Sequence, residues 1–229
     1  MKKNMKSFFV AHGALRFANY YQDHMVLQRA PQQAIIWGYV SSFNAPILLG
    51  LNNKIYRTRS SPLVIDSSNE SIWSVTLDPQ TEEGPFQVNV TQPLANSTLE
   101  TITLNDILFG DVWLCSGQSN MQFSLRNMFN ASIETENGYK YSKVRFFTAA
   151  PSQSSTPQEE LMGISLNWSL PSNTTLNQPA VSAVCWLYGR MIHEGLGGRP
   201  IGLVHTSLGG TSIEYWSPPS SLKACNITQ

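Results

Sequence analysis

Charge is scarce in this 229-residue chain: 13% of residues are Asp, Glu, Lys or Arg, with 15 acidic and 15 basic side chains in balance. Such a sequence builds no field able to gather a polyanion, so nucleic acid and anionic lipid surfaces are not expected as partners. Long apolar runs are missing too, none approaching the roughly 18 residues of a helical membrane span, and no span is expected. Cysteine is limited to Cys115, Cys185 and Cys225, and no pair has metal-ligand spacing, so no metal site is expected. An odd count leaves at least one thiol unpaired within the chain. Cys115 and Cys185 lie in the apolar stretches V-W-L-C and V-C-W-L, where buried free thiols are the expectation; a disulfide to Cys225 is the alternative. Repeats and low-complexity tracts are absent.

A clear signal peptide is lacking as well. Residues 1–13 read as a leader or disordered N-terminus whose apolar stretch, Phe8 to Ala11, is short and is interrupted by His12. Against that stand seven N-x-S/T sequons, at Asn69, Asn89, Asn96, Asn130, Asn167, Asn173 and Asn226. Chance would supply roughly three in a chain with this much Asn, Ser and Thr, so the excess predicts a glycoprotein of the secretory pathway, lysosomal or extracellular. A polar surface that happens to be rich in these residues is the alternative.

What is present changes texture once. Residues 14–106 form a β-rich region of short runs between turn signals: M-V-L-Q, A-I-I-W-G-Y-V, P-I-L-L-G-L, K-I-Y-R-T-R, S-I-W-S-V-T-L, P-F-Q-V-N-V-T and L-E-T-I-T-L. Their spacing suits a small antiparallel sandwich. Residues 107–229 read as strand, helix, strand, helix, strand. I-L-F-G-D-V-W-L-C has the near-continuous apolarity of a central parallel strand, and residues 143–148 and 201–207 supply two more. Between them, the segment from Pro179 to Gly195 reads as a helix with Val181, Val184, Cys185, Tyr188, Met191 and Ile192 on one face.

In open α/β sheets, functional groups collect on loops leaving the carboxyl ends of the strands. Two polar outbreaks occupy such loops: Gly117-Gln118-Ser119-Asn120 and Gly209-Gly210-Thr211. A serine at a sharp strand-to-helix turn exposes its hydroxyl beside backbone amides able to hold an oxyanion. Ser119 is that candidate: Gly117 permits the turn, and the amides of Gln118 and Asn120 are candidate hydrogen-bonding neighbours. The bland alternative is turn chemistry with an N-capping serine, and a positive-φ turn for the glycine pair. The usual esterase elbow G-x-S-x-G is not met, since Met121 stands where the second glycine would be.

The stretch D-V-W-L-C-S-G-Q-S-N-M, with M-V-L-Q-R-A-P, A-I-I-W-G, S-A-V-C-W-L-Y-G-R and L-G-G-T-S-I-E-Y-W-S-P, resembles the sialate O-acetylesterase family from about residue 14 onward. The resemblance implies an SGNH-type serine esterase: a β-rich region, then a flavodoxin-like α/β/α hydrolase domain, here only its first half. It implies Ser119 as nucleophile and first oxyanion donor, Gly210 as second donor with Gly209 the weaker choice, and Thr211 as a site neighbour. No cofactor is implied. The partner is an O-acetylated sialic acid or another acetylated glycan, with acetylated xylan the alternative substrate.

Two family features are missing. Acyl transfer from serine needs a base, which the family takes from a later D-x-x-H; none of His12, His24, His193 and His205 has Asp three residues upstream. The W-x-Q-G-E-S-N block is absent too. The expectation is therefore that activity needs a C-terminal half or partner chain, and that the sheet edge left open invites pairing or aggregation. A non-catalytic carbohydrate-binding or regulatory fragment is the alternative from another class, with Trp37, Trp73 and Trp216 as candidate sugar platforms.

Overall fold

A computed structural model describes residues 15–62, 70–94, 97–154, 156 and 158–227. The leader-like segment, His12, Asn69 and Asn96 lie outside the described residues. The β-rich region contributes β1 (Arg16–Phe17), β2 (Val26–Gln28), β3 (Ile35–Val40), β4 (Pro46–Leu51), β5 (Lys54–Arg59), β6 (Ser61–Pro62), β7 (Ser71–Thr76) and β8 (Phe86–Pro93). There follow β9 (Leu99–Gly117), α1 (Ser119–Gln122), α2 (Ala131–Asn137), β10 (Val144–Ala149), β11 (Ile164–Ser169), α3 (Asn173–Leu176), α4 (Ala183–Gly195), β12 (Ile201–Ser207) and α5 (Pro219–Ala224). Mixed sheets with helices give the chain its α/β character.

Period-two apolar residues explain the first half. Ile47, Leu49 and Leu51 of β4, Trp73 and Val75 of β7, and Val88 and Val90 of β8 all point into one cluster shared by the sheet β1-β3-β7-β6 and the antiparallel part of the larger sheet, β5-β4-β8-β9. Trp73 is fully buried at its centre, with its indole N–H donating to the Tyr39 carbonyl at 3.2 Å.

The expected boundary at 106/107 falls inside β9, a single strand of 19 residues. It is marked by an irregularity instead of a linker: Asp106 takes φ 54° and the β8–β9 register slips between Phe86 and Val88. Asp106 is also an electrostatic joint. Its carboxylate accepts hydrogen bonds from buried Arg145 of β10 at 2.7 and 3.3 Å and contacts His24 Nδ1 at 2.7 Å. Burial alone would raise this carboxyl's pKa, but the bonds from Arg145 and His24 outweigh it and hold the group below its ordinary value. Phe147 and Trp168 from beyond the boundary pack into the same cluster as Trp73.

Past Asp106 the larger sheet runs β11-β10-β12-β9, with β10, β12 and β9 parallel and β11 antiparallel at the edge. β11 has no counterpart among the strands expected from the sequence. α4 forms where the sequence pattern places it, but only part of the expected face is buried: Val181 and Cys185 are, and Ile192 packs against the core. The side turned to the sheet carries Ala183, Cys185, Trp186 and Gly189, whereas Val184, Tyr188 and Met191 are exposed. Gly189 explains the choice: a Cβ there would lie 2.5 Å from Leu203 Cδ1, so the helix seats its glycine on β12. The cysteines also differ from expectation. Cys115 and Cys185 are buried but joined as a disulfide, Cα atoms 5.8 Å apart, because that helix face lies over Cys115 of β9; Cys225 is free and exposed.

One edge stays open. Val112–Gly117 of β9 pairs with β12, and among the described residues no strand pairs with its other side. Leu114, on this segment, is 68% exposed.

Candidate active site

The parallel register sets the site. Gly117 lies opposite Ser207, and the Leu208 N–H donates to the Gly117 carbonyl at 3.0 Å, so both polar loops leave the same end of the sheet side by side. Gly117 has φ 147°, in the region that favours glycine, and the chain turns there into α1. Ser119 opens that helix and is exposed; the residue at the cap position is Gln118, whose side chain caps nothing. The N-capping reading of Ser119 is therefore not what the fold adopts. Gln118 and Asn120 are exposed, and among the described residues neither side chain hydrogen-bonds to Ser119 or the glycine turn.

The two glycines play different parts. Gly209 lies against the serine: a Cβ on it would be 3.3 Å from Ser119 Oγ and 2.8 Å from Gln122 Oε1. Its N–H already donates to Gln122 Oε1 at 2.8 Å. Gly210, at φ 80°, faces open space, and its N–H has no acceptor among the described residues. The turn is tied from its far side by Thr211, whose hydroxyl donates to the Leu208 carbonyl at 2.7 Å and accepts from Trp216 Nε1 at 2.9 Å. Gln122 was not singled out from sequence, although its place three residues after Ser119, on the same side of a helical turn, was the available signal.

No described histidine hydrogen-bonds to Ser119. His24 meets Asp106, and His193 Nδ1 donates to the Arg199 carbonyl at 2.6 Å. His205 is buried beneath the site: Nδ1 donates to the Ala180 carbonyl at 3.1 Å, which leaves Nε2 to accept from the Ser207 hydroxyl at 2.7 Å. Burial lowers the pKa of the His205 imidazole, against the pull of its backbone hydrogen bonds. Ser207, at the end of the apolar strand β12, is a second polar residue beside the site, with no polar break before it to mark it in the sequence.

A cleft of about 350 Å³ opens beside Ser119, lined by Gln122, Phe123, Ser124, Arg126, Asn127 and Pro179. A larger one, about 420 Å³, lies under β2 and β3 against Val112, Phe147, Trp168 and Val204, and includes none of the predicted site residues. Among the described residues no group of His, Cys, Asp and Glu is arranged to hold a metal, and no helix is long and apolar enough to cross a membrane.

No family model matches the chain. Sialate O-acetylesterases do: the protein of that name from Rattus norvegicus is 41% identical over 224 residues, covering 95% of this chain and 41% of its own length. The one from Homo sapiens is 40% identical over 215 residues, covering 93% and 40%. Over nearly all of its length, the chain is similar in sequence to the sialate O-acetylesterases. It spans about 40% of the length of these curated relatives. Among solved structures, a carbohydrate acetylesterase from Xanthomonas citri superposes with a TM-score of 0.76 at 27% identity, over 90% of this chain and 43% of that one.

Proposed function

We propose that this chain carries the nucleophile and oxyanion-binding portion of a carbohydrate O-acetyl esterase of SGNH type, acting on O-acetylated sialic acid or another acetylated glycan such as xylan. The observation that carries the reading is the register that sets an exposed Ser119 beside a glycine turn with a free amide. Ser119 Oγ attacks the acetyl carbonyl, its proton passes to a base, and the carbonyl oxygen becomes an oxyanion facing the N–H groups of Ser119 and Gly210. Collapse breaks the ester C–O bond; the sugar hydroxyl leaves with a proton, and water then releases acetate and restores Ser119. No cofactor enters these steps.

The base is not supplied by the histidines described, none of which hydrogen-bonds to Ser119. Activity on this reading depends on polypeptide beyond the chain, which would also cover the open side of β9. Compartment belongs to the same proposal. Exposed Asn130, Asn167, Asn173 and Asn226, half-buried Asn89 and a disulfide spanning 70 residues support a glycoprotein matured in an oxidising compartment. The binding-module alternative is weaker for one of its platforms, because Trp73 is sealed in the core.

Aryl acetate hydrolysis tests the reading. The chain alone should be nearly inert, while a chimera with the unmatched remainder of the rat relative should hydrolyse the ester and lose at least ~1,000-fold in Ser119→Ala. Robust Ser119-dependent turnover by the chain alone would remove the need for an outside base. A chimera whose turnover ignores Ser119→Ala would remove the nucleophile.

A further inference from the structure

We infer that Gln122 is a positioning residue of the esterase site: its side chain moors the Gly209–Gly210 turn beside the nucleophile and engages the Gly209 N–H, leaving the Gly210 N–H as the turn's oxyanion donor. The inference rests on the esterase reading of Ser119. Gln122 stands on a fixed base. Its own N–H donates to the Gln118 carbonyl at 2.9 Å, and the carbonyl of the following residue, Phe123, accepts from the Ala183 N–H of α4 at 2.9 Å. Three places after Ser119, it shares the serine's side of the helical turn, and both residues line the same cleft.

The glycine turn has an anchor at each end and slack between them. Leu208 is held by Gly117, and the Thr211 hydroxyl by Leu208 and Trp216. Among the described residues, the 2.8 Å bond from the Gly209 N–H to Gln122 Oε1 is the only hydrogen bond that either glycine makes. It acts in two ways. A backbone amide has one proton to donate, so the Gly209 N–H is withdrawn from the oxyanion, while Gly210, with φ 80° and open space around it, keeps its own. The bond also draws the turn to the serine as closely as glycine allows: a Cβ on Gly209 would fall 2.8 Å from Gln122 Oε1 and 3.3 Å from Ser119 Oγ. Oxyanion donors must sit roughly 3 Å from the charge as it develops, so a slack turn loses rate and leaves ground-state binding intact.

The test has a structural and a kinetic arm. In the whole chain, isotope-labelled for NMR, the Gly209 amide should exchange its proton with water about tenfold more slowly than the Gly210 amide. Gln122→Met, of similar length but without the amide, should bring the two rates together, and Gln122→Glu, which keeps an acceptor oxygen, should keep them apart. In the chimera with the rat relative's remainder, Gln122→Met should lower kcat for an aryl acetate about tenfold and leave KM unchanged. Gly209 exchanging as fast as Gly210 in the unmodified chain, or an undiminished kcat in Gln122→Met, overturns the inference. The esterase reading then stands so long as turnover is still lost in Ser119→Ala. Turnover indifferent to Ser119→Ala removes that reading, and the role of Gln122 with it.

Discussion

The two halves of this molecule both seal a core, Phe146, Trp186 and Leu203 after Asp106 being as buried as Ile36 and Trp73 before it, and they differ in where large apolar groups are left exposed. Before Asp106, inward side chains such as Ile36, Ile47, Leu49 and Trp73 are sealed completely. After it, one face of α4 and one edge of β9 leave large apolar groups in the open, with Leu114 at 68% and Met191 at 63% exposed. Both halves contain strands of similar apolarity. The difference is that antiparallel neighbours close the first around a core that Phe147 and Trp168 help to fill, while a parallel sheet needs covering on both faces and at both edges. The site sits on the unsealed side of that divide, at the end of the strand whose edge is open.

Substitutions can break or sharpen the contrast. The largest effect is expected at the sealed centre, where Trp73→Ala should cost about 3–5 kcal/mol in urea unfolding. Losing little more than the cost of a surface change would show that the first core is not closed. Next comes the clamp between β9 and α4: Cys185→Ser should cost about 2–4 kcal/mol, since a cross-link over so long a loop restricts the unfolded chain, and non-reducing peptide mapping should find Cys115 bonded to Cys185 beforehand.

The joint between the halves ranks third. Asp106→Asn should cost about 2 kcal/mol by leaving buried Arg145 without its counter-charge. Its pH dependence has a definite sign. The folded carboxyl lies below its ordinary 3.8, so the unfolded chain binds more protons as acid is added, and the stabilisation is full above that value and lost as pH falls through the folded one. Urea midpoints should accordingly drop more steeply toward pH 3 in the unmodified chain than in Asp106→Asn. Smallest is Leu114→Lys on the open edge, expected within about 0.5 kcal/mol. Light scattering should show less self-association in that variant; an unfolded protein would mean that the edge is covered after all.

Local patterns made much of this readable in the sequence. Short β-like runs between turn signals located β3, β4, β5, β7 and β8, and near-continuous apolarity located the central parallel strand, because each signal is confined to a few neighbouring residues. Polar breaks after apolar strands likewise marked both loops of the site. What failed required knowing which element lies across from which. The face of α4 depended on Leu203 meeting Gly189, and the disulfide on Cys115 lying under Cys185. The strand through Asp106 looked like two, since a bulge and a turn have the same local chemistry. Gln122 escaped notice because its partner, the Gly209 amide, is 87 residues away.

The most direct measurement is covalent labelling of the chimera with an aryl fluorophosphonate, followed by peptide mapping. Ser119 Oγ should displace fluoride and carry a single phosphonyl group, with none bound in Ser119→Ala. An adduct on Ser207 or any other residue, with Ser119 left unmodified, would contradict the account.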